Sequence, residues 1–173
     1  MIIYFFKDRS KERVNFGQLI DEYFDKLENT VITSNDDEFI ATFNIPHFGC
    51  SYRYLITKRS RVSSLYRLNP NYVNTFLLCE FPDDIPQFIT RLILKQIDEL
   101  CKMFEFAIYH DKIDNIKEFN MFELIAILNK ERAKYLNEHL EIIKYPVDQD
   151  LLNEVCTYQS MIDELPSVVK DDI

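Results

Sequence analysis

The apolar positions of the chain follow two rhythms. Between residues 85 and 104 they fall at Ile85, Phe88, Ile89, Leu92, Ile93, Ile97, Leu100, Cys101 and Phe104. This is the i, i+3, i+4, i+7 spacing of one helical face, held for about five turns. Asp84, with Gln87 three residues on, has the form of a capping box, and Pro86 suits a first turn, where a missing N–H costs nothing. The pattern predicts a long central helix with a strand-like apolar run on each side, 75–79 before it and 106–109 after it.

Elsewhere the same signals place shorter elements. Residues 2–6 are all apolar and predict a strand that is either buried on both faces or at a sheet edge covered by helices. Asn15 with Gln18 opens a helix that carries Phe16, Leu19, Ile20, Tyr23, Phe24 and Leu27. Polar residues 34–37 separate 30–33 from 38–45, which predicts a hairpin. In its second arm Phe39, Ala41, Phe43 and Ile45 alternate with Ile40, Thr42 and Asn44, the period of a half-buried strand. Residues 46–49 are expected to turn the chain, 52–61 to form the next strand, and Asn69-Pro70-Asn71 to turn again.

Asn120 with Glu123 predicts a helix to about residue 141, Pro146 breaks it, and Asp148 caps a last helix with Leu151, Leu152, Val155, Ile162 and Leu165. The expectation is a single α+β domain over 1–165 with a flexible tail at 166–173. It holds a mainly antiparallel sheet of about five or six strands packed against the central helix, with two C-terminal helices, in the order β-α-β-β-β-β-α-β-α-α.

Composition narrows the classes of function. Hydrophobic residues make up 47% and aromatics 14% of 173 positions, too rich for a disordered chain and enough for a core without staples. Gly17 and Gly49 are the only glycines, too few for the loops that cradle phosphates in conventional nucleotide folds. The apolar start at 1–6 is ended by Lys7-Asp8-Arg9 and lacks a basic leader or cleavage site, and no run reaches membrane-spanning length. Cys50, Cys79, Cys101 and Cys156 are scattered without a CxxC pair and read as reduced, structural thiols. A cytoplasmic protein with no membrane contact is expected.

Charge is distributed unevenly. The chain carries 20 basic and 29 acidic residues, net −9, which argues against general nucleic-acid binding. Yet residues 39–79 contain no Asp or Glu while holding Arg53, Lys58, Arg59, Arg61 and Arg67, with Tyr52, Tyr54, Tyr66 and Tyr72 between them. Either these cations pair with the protein's own acids, or the 53–67 segment is a patch for nucleic acid or a phosphate ligand. The surplus of acid on the helices suggests a basic protein partner drawn in by charge.

Catalytic signals are sparse. His47 and Cys50 are the only close His–Cys pair, and Arg53 adds a positive field that would favour a thiolate. The third member, an orienting Asp or Asn, has no recognisable signature, and the window contains no acid. Tyr109-His110-Asp111 lacks a partner motif, and His139 sits at helical spacing with Tyr135. The histidines make no HxH or HExxH spacing, so neither a metal nor a cofactor is expected. The sequence thus reads as a non-catalytic macromolecular binding protein, most concretely an acidic, toxin-neutralising or regulatory partner of bacterial or mobile-element type. Nucleic-acid or phosphate binding through 53–67 and a thiol enzyme built on Cys50 and His47 are the alternatives.

Overall fold

The computed structural model describes residues 1–45, 48–83, 85–139, 154 and 157. Six strands form one antiparallel sheet: β1 (Ile2–Asp8), β2 (Thr30–Ser34), β3 (Glu38–Ile45), β4 (Phe48–Leu55), β5 (Tyr72–Glu80) and β6 (Phe106–Tyr109). Their spatial order is β2-β3-β4-β5-β1-β6. β2 to β5 form the expected meander, and β1 slots between β5 and β6, pairing antiparallel with both. Among the described residues three continuous α-helices accompany the sheet: α1 (Phe16–Glu22), α2 (Gln87–Phe104) and α3 (Met121–Glu138). The architecture is the expected α+β one. Of the proposed last helix only residues 154 and 157 are described, both helical, and the tail lies outside the described residues.

The strand pleat sends alternate residues to two cores. Ile3, Phe5, Leu77 and Cys79 join the α2 residues Ile93, Leu94, Ile97 and Leu100 in one cluster, so the central helix does lie across an apolar sheet face. Each of those four helix side chains is at most 1% exposed, and truncating one to alanine costs about 2–5 kcal/mol. Tyr4, Phe6 and Leu78 point the other way and pack with Leu55, Val62, Leu68, Ala107, Tyr109 and Ile116. Among the described residues that second face is covered by the connections after β4 and β6.

Local details depart from the sequence expectation in three places. Helix α2 begins at Gln87 with Pro86 as its N-cap and no side-chain cap, so the start is two residues later than an Asp84–Gln87 box requires. The Pro86 carbonyl instead accepts from the Thr90 N–H at 3.1 Å and hydroxyl at 3.3 Å. Strand β4 already pairs at Phe48 and Gly49, where a turn is expected, and stops at Leu55 instead of Arg61. It stops because the Ile56 and Thr57 N–H groups turn to the Asp37 carbonyl and Lys58 adopts φ 57°. Lastly, α1 ends at Glu22, and its predicted last turn is a 3-10 turn at Phe24–Lys26. The Asn15–Gln18 capping box forms as expected, and Asn120 caps α3 through the Glu123 N–H.

Candidate functional site

The five cations of the acid-free segment do not converge. Arg53 lies on β4 opposite Ile40 of β3 and Leu78 of β5. Glu38 and Glu80, the residues that bound the acid-free window on either side, are its diagonal neighbours on the same face. Arg53 Nη1 donates to Glu38 Oε1 at 2.8 Å, and Arg61 Nη2 donates to Glu38 Oε2 at 3.2 Å. Arg53 Nε lies 3.1 Å from Glu80 Oε2, off the line of its N–H, and that nitrogen makes no hydrogen bond. Glu38 is 14% exposed and acts as the hub of the group. Arg67 rests on the Tyr66 ring, 5.5 Å from its centroid, and Arg59 stands exposed.

Lys58 alone of the five enters a concave site. Strand pairing between β4 and β5 runs from Ser51↔Glu80 to Tyr54↔Leu77 and no further. Beyond that pair β5 stays with β1 while the chain after β4 bends away, and the sheet opens into a cleft of about 640 Å³. Its cationic lining residues are Lys7, Arg9, Arg13 and Lys58, and no Asp or Glu among the described residues lines it. Tyr54, Tyr66, Tyr72 and Phe76 supply aromatic walls, with Asn69, Asn74 and Thr75 as polar groups. Leu19 belongs to one core and Phe6, Leu68 and Ile116 to the other, so the opening reaches both faces of the sheet.

A wide bulge builds one wall. Tyr4 faces Leu78 and Phe6 faces Asn74, so two steps along β1 correspond to four along β5. The extra residues are held by side chains: Phe76 N–H donates to Asn74 Oδ1 at 2.8 Å, and Thr75 Oγ1 donates to the Phe5 carbonyl at 2.6 Å. Phe76 takes φ 60°, as Lys58 takes φ 57° across the opening. Left-handed backbone costs a non-glycine residue about 1–2 kcal/mol, and such strain concentrates at binding sites.

The cations differ in freedom. Lys7 is buried, and its ammonium donates to the Phe104 carbonyl at 2.5 Å with Glu105 3.6 Å away, so its charge is largely answered. Arg9 Nε donates to the Pro70 carbonyl at 2.6 Å, a neutral acceptor, and Arg9 has no ion-pair partner among the described residues. Arg13 is exposed with no ion-pair partner among the described residues. The Lys58 ammonium donates to the Tyr54 hydroxyl and stands 5.2 Å from the Phe76 ring centroid. Partial burial lowers its pKa, because the charged form loses water. An anion in the cleft would restore what that cation lacks.

The other candidates sit apart from this opening. Cys50 is fully buried with its sulfur 3.5 Å from that of Cys79, where a substrate has no approach. His47 lies outside the described residues. His110 is buried: its Nδ1 accepts from the Lys112 N–H at 3.1 Å and its Nε2 meets the Met1 sulfur at 3.3 Å. Among the described residues no group of three or more His, Cys, Asp or Glu is placed to hold a metal, and no helix is long and apolar enough to cross a membrane.

Sequence reasoning missed Lys7, Arg9 and Arg13. The only signal was the charged run 7–13, which reads as the end of a strand because nothing local shows it returning beside residues 54–76. Compared with protein-family models, with curated proteins and with solved structures, the chain matches none of them.

Proposed function

We propose that this is a non-catalytic binding protein whose cleft takes a small anionic ligand, with a phosphate beside a flat ring as the favoured chemistry. The observation that carries the reading is an opening of about 640 Å³ lined, among the described residues, by four cations and no carboxylate, in a chain of net charge −9. The size is within the range of about 300–1,000 Å³ usual for ligand sites. Arg9, Arg13 and Lys58 would meet the anionic end. Tyr66, 81% exposed, offers a ring on which a base or other flat group can stack.

Charge range separates a short ligand from a long one. Screening limits each cation's reach to about 8 Å at physiological salt. A mononucleotide held in the cleft feels mainly the local cations. A polynucleotide must also run over a surface on which acids outnumber bases, and Arg53 and Arg61 are already engaged by Glu38. The nucleic-acid alternative therefore contracts to a nucleotide-sized ligand.

Calorimetric titration with uridine and adenosine monophosphates, inorganic phosphate and an RNA oligomer tests the reading. Losing one charge-assisted hydrogen bond costs about 1.5–3 kcal/mol, so Arg13→Glu should weaken mononucleotide binding by tenfold or more. Binding that is absent for every probe at low salt, or unchanged in Arg13→Glu, would overturn it.

A further inference from the structure

The two edges of the sheet are treated differently. At β6 the open side is closed by a bridge in which Ile108 N–H donates to the Lys117 carbonyl at 2.8 Å and Lys117 N–H returns to Ile108 at 3.1 Å. At β2 no strand of the described residues lies outside, and Val31 to Ser34 are all exposed, Val31 by 53% and Ile32 by 38%. The usual protections of a free edge are missing there: residues 30–34 contain no Lys, Arg or Pro. Its register with β3 runs without a bulge from Thr30↔Phe43 to Ser34↔Phe39.

The ladder also says which groups are free. Asn35 N–H donates to the Glu38 carbonyl at 3.0 Å, which makes that pair a hydrogen-bonded one. Antiparallel pairs alternate in type, so Thr33 and Val31 bond inward to β3. The main-chain groups of Thr30, Ile32 and Ser34 therefore point outward. They form a short template for another strand.

Charge chooses the occupant. Glu28 lies just before the strand and Asp36 and Asp37 just after it, all exposed and without an ion-pair partner among the described residues. A second copy pairing antiparallel about Ile32 would set Glu28 opposite the copy's Asp36 at one end, and the reverse at the other. Like charges directly opposite destabilise a pair. The same carboxylates would attract basic residues at both ends of a foreign strand. We infer that the outer edge of β2 is a docking strand for an extended segment of another protein, with β-branched residues at its centre and Lys or Arg at its ends, held by main-chain hydrogen bonds. This surface is independent of the cleft.

Backbone amide shifts read by NMR on the intact protein test it. The probe is a peptide of alternating Val and Thr with two Lys at each end; the control has Glu in place of Lys. The expected result is shifts confined to 28–37 with the basic peptide and none with the acidic one. Ile32→Pro deletes one outward N–H and leaves the bonds to β3, and should weaken the basic peptide about tenfold. Ile32→Lys, which keeps the backbone intact, should weaken it through charge. Absence of shifts at 28–37, or equal affinity in both variants, would overturn the assignment. So would a wild-type dimer in sedimentation that Ile32→Lys dissolves, since that gives the edge to a second copy.

Discussion

Replacing Glu38 by Gln keeps the shape of the side chain and removes the one carboxylate that both Arg53 and Arg61 use. Two opposite charges about 4 Å apart attract by about 4 kcal/mol at an effective dielectric near 20. That gross figure shrinks, because a neutral amide no longer has to be desolvated as an ion and still accepts one hydrogen bond. The Arg61 contact is 42% exposed on the arginine side and is worth less than about 1 kcal/mol. The Arg53 contact, 25% and 14% exposed, carries most of the effect. A net loss of about 2 kcal/mol follows, which for a chain of this length lowers Tm by about 4–8 °C.

Urea unfolding of Glu38→Gln, Arg53→Gln and the double variant gives a cycle whose coupling should reach about 1 kcal/mol or more. Added salt should reduce the Arg61 share and leave the Arg53 share. A loss under about 0.5 kcal/mol, or a coupling near zero, would refute the claim that Glu38 neutralises the basic segment. RNA affinity at low salt supplies a second readout. It should rise in Glu38→Gln, since Arg61 is released and Arg53 keeps only Glu80 as its acidic neighbour.

Three further outcomes are expected. Phe76→Gly exchanges about 1–2 kcal/mol of left-handed strain for the loss of a half-buried ring and should be nearly neutral in denaturant. Phe76→Val, β-branched at the same φ, should be less stable than Phe76→Gly; equal stabilities would contradict the bulge geometry. Burial lowers the pKa of His110, so the unfolded chain binds a proton that the folded chain resists, and stability falls as pH drops below about 6.5. His110→Asn preserves an acceptor for the Lys112 N–H and should remove that part of the acid dependence, read from unfolding curves across pH. Burial pushes the Cys79 thiol upward and that of Cys101 up to about 12, and Cys50 is fully enclosed. All three should react with a thiol reagent only at the rate of global unfolding, followed by mass spectrometry. Rapid native labelling of Cys50 would reopen the thiol reading.

Much of the fold was legible because its signals are local. The 3.6-residue rhythm of α2, the alternation in β3 and the Asn15–Gln18 box each act within a few residues, and each formed. Boundaries failed where a partner across a hairpin, or a competing cap next to the expected one, decided them. Strand β4 ends at Leu55 because the Asp37 carbonyl takes the next two N–H groups, and α2 starts late because Pro86 takes the cap position. The second core was invisible as such: Tyr4, Phe6 and Leu78 read as apolar, but only the sheet order shows that loops cover that side.

The candidate sites divide along the same line. Sequence alone determined the element types, the apolar faces, the net charge and the acid-free window from 39 to 79. Tertiary structure decided what the window means. The two acids just outside it, Glu38 and Glu80, are 42 positions apart in the chain, yet strand register sets both against Arg53. The same pairing draws the 7–13 segment beside Lys58 and leaves the gap that forms the cleft. Electrostatic and packing partners are chosen by distance in space. A linear pattern carries no record of that distance once the partners lie beyond one helical turn or one hairpin.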